Sequence, residues 1–270
     1  MWAQSSGVGI HYEVYGEGTP VVLLHGFPDT SRVWRHQIGP LVDSGHRVIV
    51  PDQRGYGSSD KPGRVDDYAI VTLVADVGAV LADAGVERAH VVGHDWGAAV
   101  AWVLAAIAPE SVDHLVVLSV GHPSTFRDGD FEQYRRSWYM LLFLFEGVAE
   151  RWLSEDGWAR FKQWSQHPDA DAVVAELEAS HSLTPALNWY RSNVPASTFV
   201  EPLAALPPVQ APTLGVWSSG DVFLGESQMV RSAGSVAGQW RYERLDGPGH
   251  WLQLEAAAHV NRLLVEFLAP

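Results

Sequence analysis

Val91-Val92-Gly93-His94-Asp95-Trp96-Gly97-Ala98-Ala99 carries an apolar strand through a small-x-Asp-x-small turn and straight into a helix of small residues. So tight a turn holds its central residue in a strained backbone conformation and leaves room only for small neighbours. It lifts one side chain to the C-terminal edge of a sheet, beside a helix N-terminus whose free amides favour negative charge. That side chain is a carboxylate, and no G-x-S-x-G version of the turn occurs in the chain. A carboxylate that attacks an electrophilic sp³ carbon forms an alkyl ester, which water can cleave; a serine would form an inert ether. Asp95 also suits the plainer task of capping the following helix, and the motif alone leaves both readings standing.

Working outward, short apolar runs alternate with helical patterns. Gly9 to Tyr15 alternates like a half-exposed strand, and Pro20–Leu24, Arg47–Val50, Ala89–Val92 and Leu115–Val120 read as buried strands. Helical spacing occupies Val33 to Leu41, Tyr68 to Ala84 and Trp96 to Ile107. Strands alternating with helices predict right-handed crossovers and a mostly parallel sheet covered on both faces. From about Pro123 to Pro202 strand-like runs cease. Helical stretches at Phe131–Phe145, Val148–Trp164 and Ala170–Ala179 follow, punctuated by prolines at 168, 185 and 195. Alternation then resumes: strands at Thr213–Trp217 and Trp240–Leu245, helices at Leu224–Ser232 and Trp251–Leu268. The expected architecture is an α/β core over 1–122 and 205–270, interrupted by a helical cap over 123–204.

Three further motifs fall at predicted strand ends. Leu23-Leu24-His25-Gly26-Phe27-Pro28 follows a buried strand, and its turn can aim the Phe27 amide at the elbow; with the Trp96 amide this makes an oxyanion hole. Pro28 is a candidate for a cis bond. Gly247-Pro248-Gly249-His250-Trp251 lies between the last strand and the last helix, a context the other eleven histidines lack; His250 is the candidate base. Asp221, ending Val216-Trp217-Ser218-Ser219-Gly220-Asp221, is the candidate acid that orients it. Its rivals Asp246 and Glu243 sit too near His250 in sequence, and no acid follows the strand ending at Val120. The order nucleophile, acid, histidine is that of strand-to-helix elbow hydrolases. Asp52-Gln53-Arg54-Gly55-Tyr56-Gly57-Ser58-Ser59-Asp60 is assigned a structural role, with Arg54 tying loops together.

Composition bounds the rest. The 270 residues are 47% hydrophobic, enough for a large core. A net charge of −14 argues against a nucleic-acid partner. No apolar run suits a bilayer span, the start MWAQSSGVGI lacks a secretory layout, and a cytoplasmic location is expected. The lack of cysteine excludes disulfides and thiolate chemistry. Five of the twelve tryptophans (Trp138, Trp152, Trp158, Trp164, Trp189) fall in the helical segment. Singly each reads as packing; together they suggest an apolar lining.

His-Gly-Phe-Pro, Asp-Gln-Arg-Gly-Tyr-Gly-Ser-Ser, Gly-His-Asp-Trp-Gly, Gly-Asp-Val-Phe and Gly-His-Trp resemble, in order and over nearly the whole chain, the α/β-hydrolase-fold epoxide hydrolases. The resemblance implies an enzyme that opens an epoxide to a vicinal diol through an ester on Asp95, with His250 and Asp221 activating water. It also implies two cap tyrosines at the epoxide oxygen. Ser137-Trp138-Tyr139 and Leu187-Asn188-Trp189-Tyr190-Arg191 resemble the segments that carry them, so the role passes to Tyr139 and Tyr190; packing alone is the other reading of each. Phe27, Trp96 and Met140 are expected to touch substrate, although Met140 is apolar where some relatives are polar. No metal or organic cofactor is implied, the substrate is expected to be a small apolar epoxide, and oligomeric state is open, a homodimer included. Haloalkane dehalogenases share fold and nucleophile but commonly carry Asn after the His-Gly pair, where this chain has Phe27. A hydrolase-fold binding protein without turnover is the other alternative.

Overall fold

A computed structural model describes residues 1–126, 131–199 and 205–269. Its strands are β1 (Trp2–Ser5), β2 (Val8–Tyr15), β3 (Thr19–Leu24), β4 (His46–Pro51), β5 (Ala89–His94), β6 (Val112–Leu118), β7 (Thr213–Ser218) and β8 (Trp240–Leu245). They form one sheet in the order β1-β2-β4-β3-β5-β6-β7-β8. The β1–β2 and β2–β4 pairs are antiparallel, and every later pair is parallel. The central strands are uninterrupted apolar runs because helices cover both their faces. Core helices α1 (Arg35–Asp43), α2 (Ile70–Asp83) and α3 (Trp96–Ile107) fill the crossovers of the first half. The edge strand β8, WRYERL, is half-exposed and carries Arg241 and Arg244, charges that discourage further strand pairing.

Between β6 and β7 the named elements of the described residues are all helical: α4 (Pro123–Phe126), α5 (Phe131–Arg136), α6 (Trp138–Phe143), α7 (Val148–Ser165), α8 (Ala170–Ser180) and α9 (Leu183–Asn193), with a short 3-10 turn at Ala196–Phe199. The cap expected over 123–204 includes 127–130 and 200–204, which lie outside the described residues, as does residue 270 of the expected core. After β7 come α10 (Glu226–Arg231), β8, α11 (Leu252–Glu255) and α12 (Ala257–Phe267).

Several helices read as continuous are broken. The run expected over Phe131–Phe145 divides at Ser137 into α5 and α6. α7 is interrupted where Asp156, Gly157 and Trp158 take positive φ, the Asp-Gly pair tolerating that region best. The closing helix splits at Ala256, whose φ of −126° and ψ of 37° are not helical.

The Asp52–Asp60 loop does what was expected of Arg54. Its guanidinium forms a buried bidentate pair with Asp76 on α2 (Nε–Oδ2 2.7 Å, Nη2–Oδ1 2.6 Å), and its carbonyl accepts the indole N–H of Trp189 at 3.0 Å. The loop thus braces α2 and α9 together beneath the cap.

Candidate active site

The site lies where β5, β3, β7 and β8 end and α6, α7 and α9 descend. Asp95 has φ 51° and ψ −122°, the strained elbow conformation read from the sequence. The glycines around it are there for lack of space. A Cβ on Gly97 would strike the carbonyls of Leu24 and His25, and one on Gly26 would strike the Asp95 side chain. This close approach lets the Phe27 amide donate to Asp95 Oδ1 at 2.7 Å. The Phe27-Pro28 peptide is cis. With Oδ1 held, Oδ2 faces the imidazole of His250, 3.5 Å from Nε2.

On the far side of that ring, His250 Nδ1 lies 2.8 Å from Asp221 Oδ2. Asp221 is fully buried, and its Oδ1 accepts the amides of Phe223 (2.8 Å) and Leu224 (3.0 Å), which fix the carboxylate in the turn after β7. The cap reaches this loop as well, for Arg136 Nη1 donates to the Asp221 carbonyl at 2.6 Å. Burial alone would depress the His250 pKa. The two carboxylates outweigh it, Asp221 more than Asp95, and raise the pKa to about 10. At neutral pH the resting site is therefore an imidazolium between two carboxylates.

Two phenols close the space above Asp95. Tyr139 on α6 and Tyr190 on α9 are both buried, with ring centroids 6.2 Å apart. Both phenol pKa values stand well above the ordinary value, first because of burial and then because of the Asp95 charge. Tyr190 rests edge-on against Trp96 (5.1 Å) and Phe27 (5.5 Å), and a hydrogen bond from the Trp96 side chain partly offsets its shift. A small cavity is bounded by Asp95, His250, both tyrosines, Phe27, Pro28, Trp164, Ser165, Phe223 and Trp251. Of the residues expected to touch substrate, Phe27 lines this cavity. Trp96 lies behind Tyr190, and Met140 is absent from the lining and packs against the core instead, because it follows Tyr139 by one helical step and so points off its face.

Sequence reading missed several residues that build this space. Trp164 and Phe223 sit 5.3 Å apart, and Phe223 meets His250 edge-on at 5.3 Å. Its position two residues after Asp221 was a usable signal; Trp164 had none beyond its membership of the tryptophan-rich segment. The His250 carbonyl accepts from Ser119 Oγ (2.9 Å) and lies 3.0 Å from His94 Nε2, so two buried side chains from β5 and the end of β6 anchor the histidine loop. Asp29 bonds Trp251 Nε1 (2.8 Å) and His167 Nε2 (3.0 Å), tying the His-Gly-Phe-Pro loop to both the last core segment and the cap. Burial would raise the Asp29 pKa; His167, followed by His94 and Trp251, holds it below the usual value instead.

Residues 19–257 match the family model of the alpha/beta hydrolase fold. The chain is 32% identical to the AB hydrolase superfamily protein YfhM of Bacillus subtilis, over 99% of this chain and 97% of that protein. It is 33% identical to epoxide hydrolase A of Mycobacterium tuberculosis, over 98% and 95%. Among solved structures, a mutant of an epoxide hydrolase from Bacillus megaterium, complexed with its product (R)-3-[1]naphthyloxy-propane-1,2-diol, superposes over the full length of both chains with a TM-score of 0.90 at 27% identity. The chain belongs to the α/β-hydrolase fold family and, within it, to the epoxide hydrolases. No helix of the described residues is long and apolar enough to cross a membrane.

Proposed function

We propose that the protein hydrolyses a small apolar epoxide to a vicinal diol in two steps. Asp95 Oδ2 attacks one ring carbon, while Oδ1, already holding the Phe27 amide, becomes the ester carbonyl oxygen. Tyr139 and Tyr190 donate hydrogen bonds to the ring oxygen as the C–O bond breaks, and one of them gives up its proton. The departing alkoxide is far more basic than a phenol of pKa near ~10; the transfer is downhill even for phenols as weakly acidic as these. The tyrosinate recovers its proton from the His250 imidazolium, and the neutral histidine, oriented by Asp221, then takes a proton from water as the water adds to the ester carbonyl. The negative charge that develops on Oδ1 is stabilised by the amides of Phe27 and Trp96, and collapse releases the diol and restores the carboxylate.

The observation that carries this reading is the pairing of two buried phenols with a held carboxylate in one cavity. A displacement releasing halide has no need of two proton donors over the nucleophile, and Phe27 offers no side-chain donor to a halide. The aromatic walls formed by Phe27, Trp164, Phe223 and Trp251 support an aryl- or alkyl-bearing substrate. The relative's naphthyloxy diol product points the same way.

The test is His250→Gln treated with styrene oxide. The intact chain should gain the mass of one epoxide, and peptide mapping should place it on Asp95, because the second step is blocked. Bromide release from a bromoalkane by the native chain, with no diol from any epoxide, would make it a dehalogenase. Absence of any covalent adduct on the variant would exclude the two-step scheme.

A further inference from the structure

At the other end of β5, away from the elbow, the β5–β6 ladder loses its regular register. Ala89 pairs with Val112 while Val91 pairs with Leu115, so two residues of β6, Asp113 and His114, face the single residue His90. In a regular strand Asp113 and His114 would point to opposite faces. A bulge of this kind re-aims side chains, and here it turns all three toward one point, their ligand atoms lying within 4.8 Å of one another.

Asp113 Oδ2 lies 3.3 Å from both His90 Nδ1 and His114 Nδ1 but is hydrogen-bonded only to the second. His90 is buried, and its Nδ1 has no hydrogen-bond partner, since the carboxylate oxygen before it stands out of line. An orphaned buried nitrogen is costly. A cation between the three groups removes the cost: ligands at ~2.0–2.1 Å from a tetrahedral zinc ion stand roughly 3.3 Å from each other. The surroundings suit this use. Arg88 Nη2 holds Asp113 Oδ1 at 3.0 Å, leaving Oδ2 to face the histidines. His46 packs 5.8 Å from His90, but its own nitrogens face the Leu41 and Leu268 carbonyls, so it forms a wall and not a ligand. Asp113 and His114 are partly exposed, which gives an ion an entry path and room for a water as fourth ligand. The net charge of −14 concentrates cations near the surface.

We propose that His90, Asp113 and His114 form a binding site for a divalent transition cation of the zinc type. Two imidazoles with one carboxylate suit zinc, and thiolates are absent from the chain. The site lies about five residues, or roughly 16 Å at ~3.3 Å per strand residue, from Asp95. Its effect is on the fold, where it pins β5 to β6 at the bulge, and not on the chemistry at the elbow.

Isothermal titration of zinc chloride into the chelator-stripped full chain at neutral pH should show one saturable equivalent, with a rise in melting temperature as the site fills. His114→Gln is the main variant, because its side chain is partly exposed, and circular dichroism checks that its fold is kept. Even outer-shell partners of metal ligands carry about 10–100-fold in affinity, so loss of a direct ligand should weaken binding by at least that. His90→Gln should do the same, with circular dichroism reporting on folding. Lack of saturable zinc binding by the native chain would overturn the proposal, and so would a native-like equivalent retained by His114→Gln.

Discussion

Replacing either cap tyrosine by phenylalanine separates the chemistry from the packing. Phenylalanine keeps the rings, so Tyr139 retains its contacts with Phe143 (5.4 Å) and Trp164 (5.0 Å), and Tyr190 those with Phe27 and Trp96. What is lost is one hydroxyl, which the proposed function sets at the oxygen that takes up charge. In a water-poor site, one such donor is worth about 2.7–4 kcal/mol, or ~10²–10³ in kcat. Tyr139→Phe and Tyr190→Phe should each fall within that range. The double variant leaves the alkoxide no donor and should form no ester. Rapid-mixing fluorescence is the assay, since Trp164 and Trp251 line the cavity and report ester formation directly. A single variant that alkylates Asp95 within about tenfold of the native rate, under ~1.4 kcal/mol, would refute the assignment of that tyrosine.

Two further outcomes concern stability. His250 has a folded-state pKa of about 10 against an ordinary 6.5, so its contribution is fully present below about 6.5 and is lost as pH rises through about 10. The melting temperature of the native chain should accordingly fall over that window relative to His250→Gln; parallel profiles would contradict the imidazolium reading. His90, His94 and His122, each held near 4, act in the opposite sense and only below 6.5. Arg54→Ala leaves Asp76 buried and unpaired and should cost about 3–5 kcal/mol in chemical denaturation, whereas Arg54→Met with Asp76→Leu should recover most of it. Equal losses in the two would show that the pair contributes through its charges.

How much the sequence discloses follows from how local each signal is. The buried strands are legible because a parallel strand covered on both faces must be apolar throughout, and the α3 limits, Trp96 to Ile107, come out as read because a strained turn and a run of small residues bound them. β1 escapes because Trp2–Ser5 is too short to show a period, and the turn at Ser6-Gly7 hides its pairing with β2. α9 escapes because Pro185 reads as a breaker. It stands at the third position of the helix, where no backbone partner is lost. Asp95, Asp221 and His250 each sit at a strand end with its own motif. The groups that hold them do not: His94 and Ser119 meet at the His250 carbonyl from elsewhere in the sheet, and Asp29 meets His167 across 138 residues. Such partners become visible only when the chain is folded.

The His250 charge also bears on the order of events in the proposed cycle. An imidazolium is no base, so in the resting enzyme His250 is unable to activate water, and its charge instead helps hold the Asp95 carboxylate ready for attack. Ester formation changes this. In the proposed ester Asp95 is neutral, and its contribution to the raised pKa through the 3.5 Å ion pair is gone. What remains is a buried imidazole with one carboxylate, and burial is the largest influence acting to lower its pKa. In the proposed cycle alkylation would therefore favour its own hydrolysis, the His250 proton passing to the tyrosinate once the ester has formed. A neutral histidine facing Asp95 from the outset would lack this order, since it would spend the first step holding water against a carboxylate that has nothing to release. The corresponding observable is the pH profile. Alkylation should be nearly flat through neutral pH, and ester hydrolysis should rise with an apparent pKa below that of the resting histidine.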